Sequence, residues 1–126
     1  MAHDVVADAL NMMRNAKKAK KEIVKVKIIS NLLIEILKIM KQKGAVKKYK
    51  IDPKDKSLEI TLGDFTECQA IKPRFSCKNE QIEGYRRRYL PSRNIGTVVL
   101  STNKGLMTNE EAEEEKTGGS LVAYFY

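Results

Sequence analysis

IGTVVLSTNKGLMTNEEA, residues 95–112, is the stretch that orders the rest of this chain. IGTVVLST, 95–102, is apolar and β-branched, the composition of a buried strand. It delivers Ser101 and Thr102 into a turn at Lys104-Gly105. Thr108 followed by Glu111 forms a capping box. The acids Glu110, Glu111, Glu113, Glu114 and Glu115 fall in the first turns of the helix it opens, where the helix dipole favours them. Strand, tight turn and capped helix in succession predict a fold that mixes sheet and helix.

Downstream, Gly118-Gly119 predicts the helix end and a turn, and LVAYFY, 121–126, reads as a final strand. Upstream, 80–89 predicts a short helix ending before Pro91, and 66–77 an extended run with Pro73 at an edge or bend. The first half has sharper periodicity. Residues 4–15 place Val5, Val6, Ala9, Leu10, Met12 and Met13 on one helical face, with Asp4 as N-cap. IVKVKII, 23–29, alternates: Val24, Val26 and Ile28 face one way, Lys25 and Lys27 the other. Ser30 caps a second helix that ends at Gly44 and buries Leu32, Leu33, Ile36, Leu37 and Met40. Strands at 45–51 and 57–62 follow, joined by Asp52-Pro53-Lys54-Asp55-Lys56 as a hairpin. The order α-β-α-β-β closes near Gly63-Asp64, a soft boundary. The fold class is α+β with mixed small sheets.

Composition bounds function. The chain has 126 residues, 24 Lys+Arg against 16 Asp+Glu, and a net charge of +8. Polyanions are attracted to such a balance. The excess is local: residues 1–63 hold 15 basic and 7 acidic side chains, and residues 64–126 hold 9 of each. No uncharged stretch is long enough to span a bilayer. The opening MAHDVVADAL has two acids and no basic segment, unlike a signal peptide. Cys68 and Cys77 make no disulfide scaffold, which fits a reducing compartment. The single histidine, His3, leaves the body of the chain without a base for a catalytic triad or a metal set. Five acids on one short helix cannot converge on one site, and a free cysteine without a neighbouring histidine reads as a small buried hydrophobe. No reaction, cofactor or metal follows.

Nucleic-acid readings carry further. Arg14, Asn15, Lys17 and Lys18, with Lys25 and Lys27 on the strand, suit phosphate contacts that position without reading sequence; a merely solvated basic face fits them equally. Arg86-Arg87-Arg88 between Tyr85 and Tyr89 interleaves cations with rings that can stack on exposed bases, or the rings pack inward. STNKGLM, 101–107, presents short hydroxyls, an amide and backbone N–H groups at a rigid place. Such groups suit the edges and 2′-hydroxyls of an RNA minor groove; an ordinary turn closed by Ser or Thr fits as well.

These segments resemble a known family. VADALNMMRNA at 6–16, the Lys strand followed by Ser30, IKPRF at 71–75, YLPSR at 89–93, and above all IGTVVLSTNKGLMTNEEA with TGGSLVAYFY at 117–126 resemble the ribosomal protein S8 family of the small subunit, in its archaeal and eukaryotic branch. The resemblance covers essentially the whole chain. It implies two small α/β domains, 1–63 and 64–126, in a non-catalytic, cofactor-free protein of the cytoplasmic ribosome. It implies binding to the central domain of small-subunit rRNA early in assembly, neighbouring ribosomal proteins as partners, and no homo-oligomer. The turn Ser101, Thr102, Asn103, Lys104 and Gly105 would enter the minor groove. Arg14, Asn15 and Ser30 would clamp the backbone. Tyr85, Arg86, Gly118 and Gly119 complete the RNA-binding candidates. Asn31, Gln69 and Ser120 depart from the family's usual residues. Regulation of translation outside the ribosome is the alternative role.

Overall fold

The computed structural model describes residues 5–27, 30–71, 76–91 and 95–126. The chain divides into two compact units, Met1–Cys68 and Gln69–Tyr126. The capping role of Asp4, the inward side of Ile28 and most of the KPRF and PSR motifs lie outside the described residues.

In the first unit α1 (Val5–Lys18) and α2 (Asn31–Gln42) alternate with β1 (Ile23–Val26), β2 (Val46–Asp52) and β3 (Ser57–Leu62). The sheet order is β1-β3-β2, antiparallel throughout. Burial follows the expected periods. Val6, Ala9, Leu10 and Met13 of α1 and Leu33, Ile36, Leu37 and Met40 of α2 meet Val24, Val26, Leu58, Ile60 and Leu62 from the sheet. One helix face and alternate residues of β1 and β3 thus make the core, whereas β2 buries only Val46. Met12 departs from the expected stripe and is exposed. α1 also runs beyond residue 15, into the Lys cluster as far as Lys18.

Helix ends in this unit share one device. After α2, the Gly44 N–H donates to Lys41 O and the Ala45 N–H to Met40 O, with Gly44 at φ +85°. After α1, Lys20 and Lys21 donate to Lys17 O and Ala16 O in the same pattern, with Lys20 at φ +61°. Both are Schellman ends, one closed by glycine and one by lysine. Ser30 occupies the N-cap of α2, but its hydroxyl makes no capping bond; its carbonyl accepts from Ile34.

The second unit holds β4 (Cys68–Ala70, beginning at the last residue of the first unit), β5 (Ser76–Cys77), a 3₁₀ turn at Asn79–Gln81, α3 (Ile82–Tyr89), β6 (Thr97–Thr102), β7 (Gly105–Thr108), α4 (Asn109–Glu114) and β8 (Gly119–Phe125). The order is β4-β8-β6-β7, with β5 also on β8. Every pairing with a described register is antiparallel. Leu100, Val98 and Leu121 pack with Ile82, Leu90 and Ala112 in its core. The α+β class stands, but the described strand pairings are antiparallel where mixed sheets were expected.

Three local features differ from expectation. Residues 105–108 form a strand, because Gly105 to Thr108 pair back along Thr102 to Val99. α4 stops at Glu114 and closes on Lys116 (φ +55°), with Lys116 and Thr117 donating to Glu113 O and Ala112 O. Gly118-Gly119 therefore do not end the helix. Finally, β8 carries a bulge: Val99 faces Ala123 while Leu100 faces Leu121, leaving Val122 over.

Candidate nucleic-acid interface

The strand-turn-strand of β6 and β7 is a tight hairpin. Asn103 and Lys104 form the two-residue loop with ordinary φ, and Gly105, paired with Thr102, takes φ +109°. Thr102 locks it: its Oγ1 donates to Gly105 O (2.8 Å) and accepts from the Lys104 N–H (3.1 Å). The Thr102 hydroxyl donor is thus spent inside the turn. Ser101 is exposed, and its hydroxyl has no partner among the described residues.

Register explains what stands beside Ser101. Ser101 faces Ser120 across β6-β8, and Ser120 faces Ser76 across β8-β5. Residues in register share a sheet face, so Ser76, Ser120 and Ser101 form a row of three hydroxyls on neighbouring strands. The close approach of these strands depends on Gly118 and Gly119. A Cβ on Gly118 would collide with Cys77 O, and one on Gly119 with Ser101 O. Their role is room for backbone, which answers why a Gly pair stands here.

An open hollow of about 350 Å³ lies at this end of the sheet. Ser76, Cys77, Lys78, Gln81, Ser101, Thr102, Asn103, Gly118, Gly119 and Ser120 line it. It contains one cation and no carboxylate. Lys104 turns away to Glu115 (3.3 Å). An exposed pair of this kind is worth under about 1 kcal/mol and yields to salt. Gln81 and Ser76 were not expected here; the signal lies in β5 pairing with β8, which sequence spacing does not express.

α4 is pinned at its start. Thr108 Oγ1 accepts from the Glu111 N–H (3.2 Å), which is one of the two bonds of the expected capping box. Buried Asn109 accepts from the Val98 N–H (3.1 Å) and ties the helix to β6.

Arg86 is a correction. It is buried, and its guanidinium donates to both oxygens of Glu83 (Nε 2.9 Å, Nη2 2.6 Å). That hydrogen bond raises its pKa and fixes it as a structural cation inside the helix layer. The neighbours Arg87 and Arg88 are the exposed ones. Tyr85 is half-buried against the core and carries Arg88 over its ring at 5.5 Å. Tyr89 stacks on Tyr124 (5.1 Å), which stacks on Tyr126 (6.4 Å) and donates to Gln69 (2.8 Å).

In the first unit the basic candidates divide. Arg14 pairs with Glu67. Lys17 donates to Gly63 O (2.6 Å) and lies over the Phe65 ring at 5.5 Å. Both fasten α1 to the segment after β3. Asn15, Lys18, Lys25 and Lys27 are exposed. Lys25 reaches Asp55 at 3.5 Å, both groups more than half exposed. Asn15, Lys21 and Lys25 rim an open hollow of about 450 Å³ floored by Met12, Ala16 and Ile23.

The cysteines stay out of chemistry. Cys68 Sγ donates to Leu10 O (3.4 Å) in the first core, and burial, reinforced by Glu67, pushes its thiol up to about 12. Burial raises Cys77 as well. Among the described residues no group of three His, Cys, Asp or Glu side chains is placed to hold a metal, and no helix is long and apolar enough to cross a membrane.

Comparison with known proteins gives the family. The family model described as ribosomal protein S8 matches residues 4–126. The chain is 43% identical to the small ribosomal subunit protein uS8 of Nanoarchaeum equitans over an alignment of 129 positions covering all of both chains. It is 36% identical to the small ribosomal subunit protein uS8 of Picrophilus torridus, again over both whole chains. With a match of that extent across both units, the chain belongs to the ribosomal protein S8 family.

Proposed function

We propose that this protein is a structural component of the small ribosomal subunit that holds the central domain of the small-subunit rRNA and supports assembly, without catalysis. Its partners are that rRNA and the neighbouring ribosomal proteins, and it acts as a single copy. The observation that carries the reading is the convergence of Ser76, Ser120, Ser101, Thr102 and Asn103 on one hollow free of carboxylates. Neutral donors and acceptors of short reach suit ribose hydroxyls and base edges in a wide, shallow RNA minor groove. The exposed lysines of the first unit supply sequence-independent attraction. Thr102 acts chiefly by holding the turn, and Ser101 by touching RNA.

The test is binding to a cognate rRNA hairpin and a scrambled one across a salt series. Ser101→Ala should reduce the cognate-to-scrambled ratio, by about five- to tenfold for one lost hydrogen bond, and leave the salt slope unchanged. Thr102→Val should reduce the same ratio by loosening the turn. An unaltered ratio in the double variant would overturn the assignment of this turn as the reader.

A further inference from the structure

The outer face of the β1-β3-β2 sheet is not accounted for by the hollow in the second unit. Its registers place Lys25, Glu59 and Lys50 in one cross-strand row, and Ile23, Thr61 and Lys48 in the next. Lys27 follows Lys25 on the same side of the chain, and all four lysines are exposed. They form an oblique band over the sheet, with Lys25 and Lys50 about 10 Å apart across β3 and successive lysines on one strand about 7 Å apart. Lys48, Lys50 and Glu59 make no ion pair among the described residues, and Lys25 touches only Asp55, at 3.5 Å. The bulge between Val46 and Lys48 turns Val46 inward and sets Lys48 and Lys50 outward.

We propose that this face is a seat for the phosphodiester backbone of an RNA duplex, gripped through Lys25, Lys27, Lys48 and Lys50 without regard to sequence. For Lys25 and Lys27 it extends the attraction proposed above; Lys48 and Lys50 are added by the register alone. Charge complementarity selects the occupant. Four cations surround the carboxylate of Glu59, with Asp52 on the same face at the hairpin end and Asp55 at the margin. Among the described residues Ile23 is the one large apolar side chain on the face, 54% exposed, and the cores of protein interfaces are poor in lysine and rich in aromatics. The outward positions of the three strands hold no aromatic residue on which single-stranded bases would stack. A lysine-lined, ring-free sheet face therefore fits paired backbone.

The full chain is titrated with an RNA duplex of arbitrary sequence, a single-stranded RNA of equal length and a polyglutamate peptide. Lys48→Gln/Lys50→Gln should weaken the duplex by about tenfold and lower the log–log salt slope by about two units. Glu59→Gln should strengthen it. The cognate-to-scrambled ratio of the rRNA hairpins should not move, whereas Ser101→Ala should move that ratio and spare the duplex; failure here is therefore distinct from failure of the reading turn. An unchanged duplex affinity and slope in the double variant, with its thermal melt intact, would overturn the proposal. So would equal or tighter binding of polyglutamate, which would make the face a site for acidic proteins, and so would single-stranded RNA binding as tightly as the duplex.

Discussion

Gly105 and Gly119 are small for unlike reasons. At Gly105 a Cβ would meet nothing within 4 Å, and the demand is the backbone angle of +109°. At Gly119 the demand is space, because Ser101 O occupies the place of a Cβ. Gly105→Ala should therefore cost about 1 kcal/mol of left-handed strain. Gly119→Ala should cost more, about 2–3 kcal/mol of overpacking, since backbone must move. Urea melts of the two variants check the order. The Cys68 thiol gives a pH test. Its folded pKa, about 12, lies above the ordinary 9.0. The neutral thiol is the form the core favours, so its contribution is complete below about pH 9 and is lost as pH rises from there toward 12. At pH 8 the native protein should leave Cys68 unmodified by iodoacetamide over hours, with labelling after denaturation; rapid native labelling would contradict the burial. Single residues were unevenly legible. Ser101, Thr102 and Gly105 stood out by type, whereas the burial of Arg86 depended on Glu83 one helical turn away and on tertiary packing.

At the level of elements, the unexpected cost sits at helix ends. Lys20 and Lys116 occupy the left-handed position of Schellman ends, where Gly44 sits after α2. A side chain there is strained, so Lys20→Gly and Lys116→Gly should each stabilise the protein by about 0.5–1 kcal/mol, net of the freedom glycine adds to the unfolded chain. Thermal melts at fixed salt measure this, and Lys20→Ala separates strain from loss of charge. Periodicity made the long elements readable: β1 and β3 bury the described residues their pattern requires, and α2 does so except that Leu32 stays half-buried and Ile39 is buried as well. The short ones were hidden. β7 is strand only because β6 lies beside it, and β5 only because β8 does. Gly118-Gly119 resembled a helix stop because glycine at a close strand crossing and glycine at a helix end carry the same letter.

Across the molecule, charge and recognition are separated. The surplus of basic side chains lies in residues 1–63, and the hollow around Ser101 is nearly neutral. Raising salt from 50 to 200 mM should weaken cognate and scrambled RNA by similar factors and preserve their ratio; a ratio that collapses with salt would place the discrimination in the lysines instead. This partition was visible in the sequence because charge counts need no structure. The company kept by Ser101 was not, because it is decided in β8. That strand is paired with β6, β4 and β5, and its register on β6 leaves one residue over. Measured against β6, it is one residue shorter than along its own backbone, and Val122 is the remainder. The other side uses that remainder: Val122 O accepts from the Ile71 N–H at 2.9 Å. β8 thus works as a vernier, keeping Ser120 level with Ser101 and Tyr124 with Val98 while advancing one step for the strand on its far edge. Removing Val122 would leave the serines aligned and take away the carbonyl to which the Ile71 N–H donates.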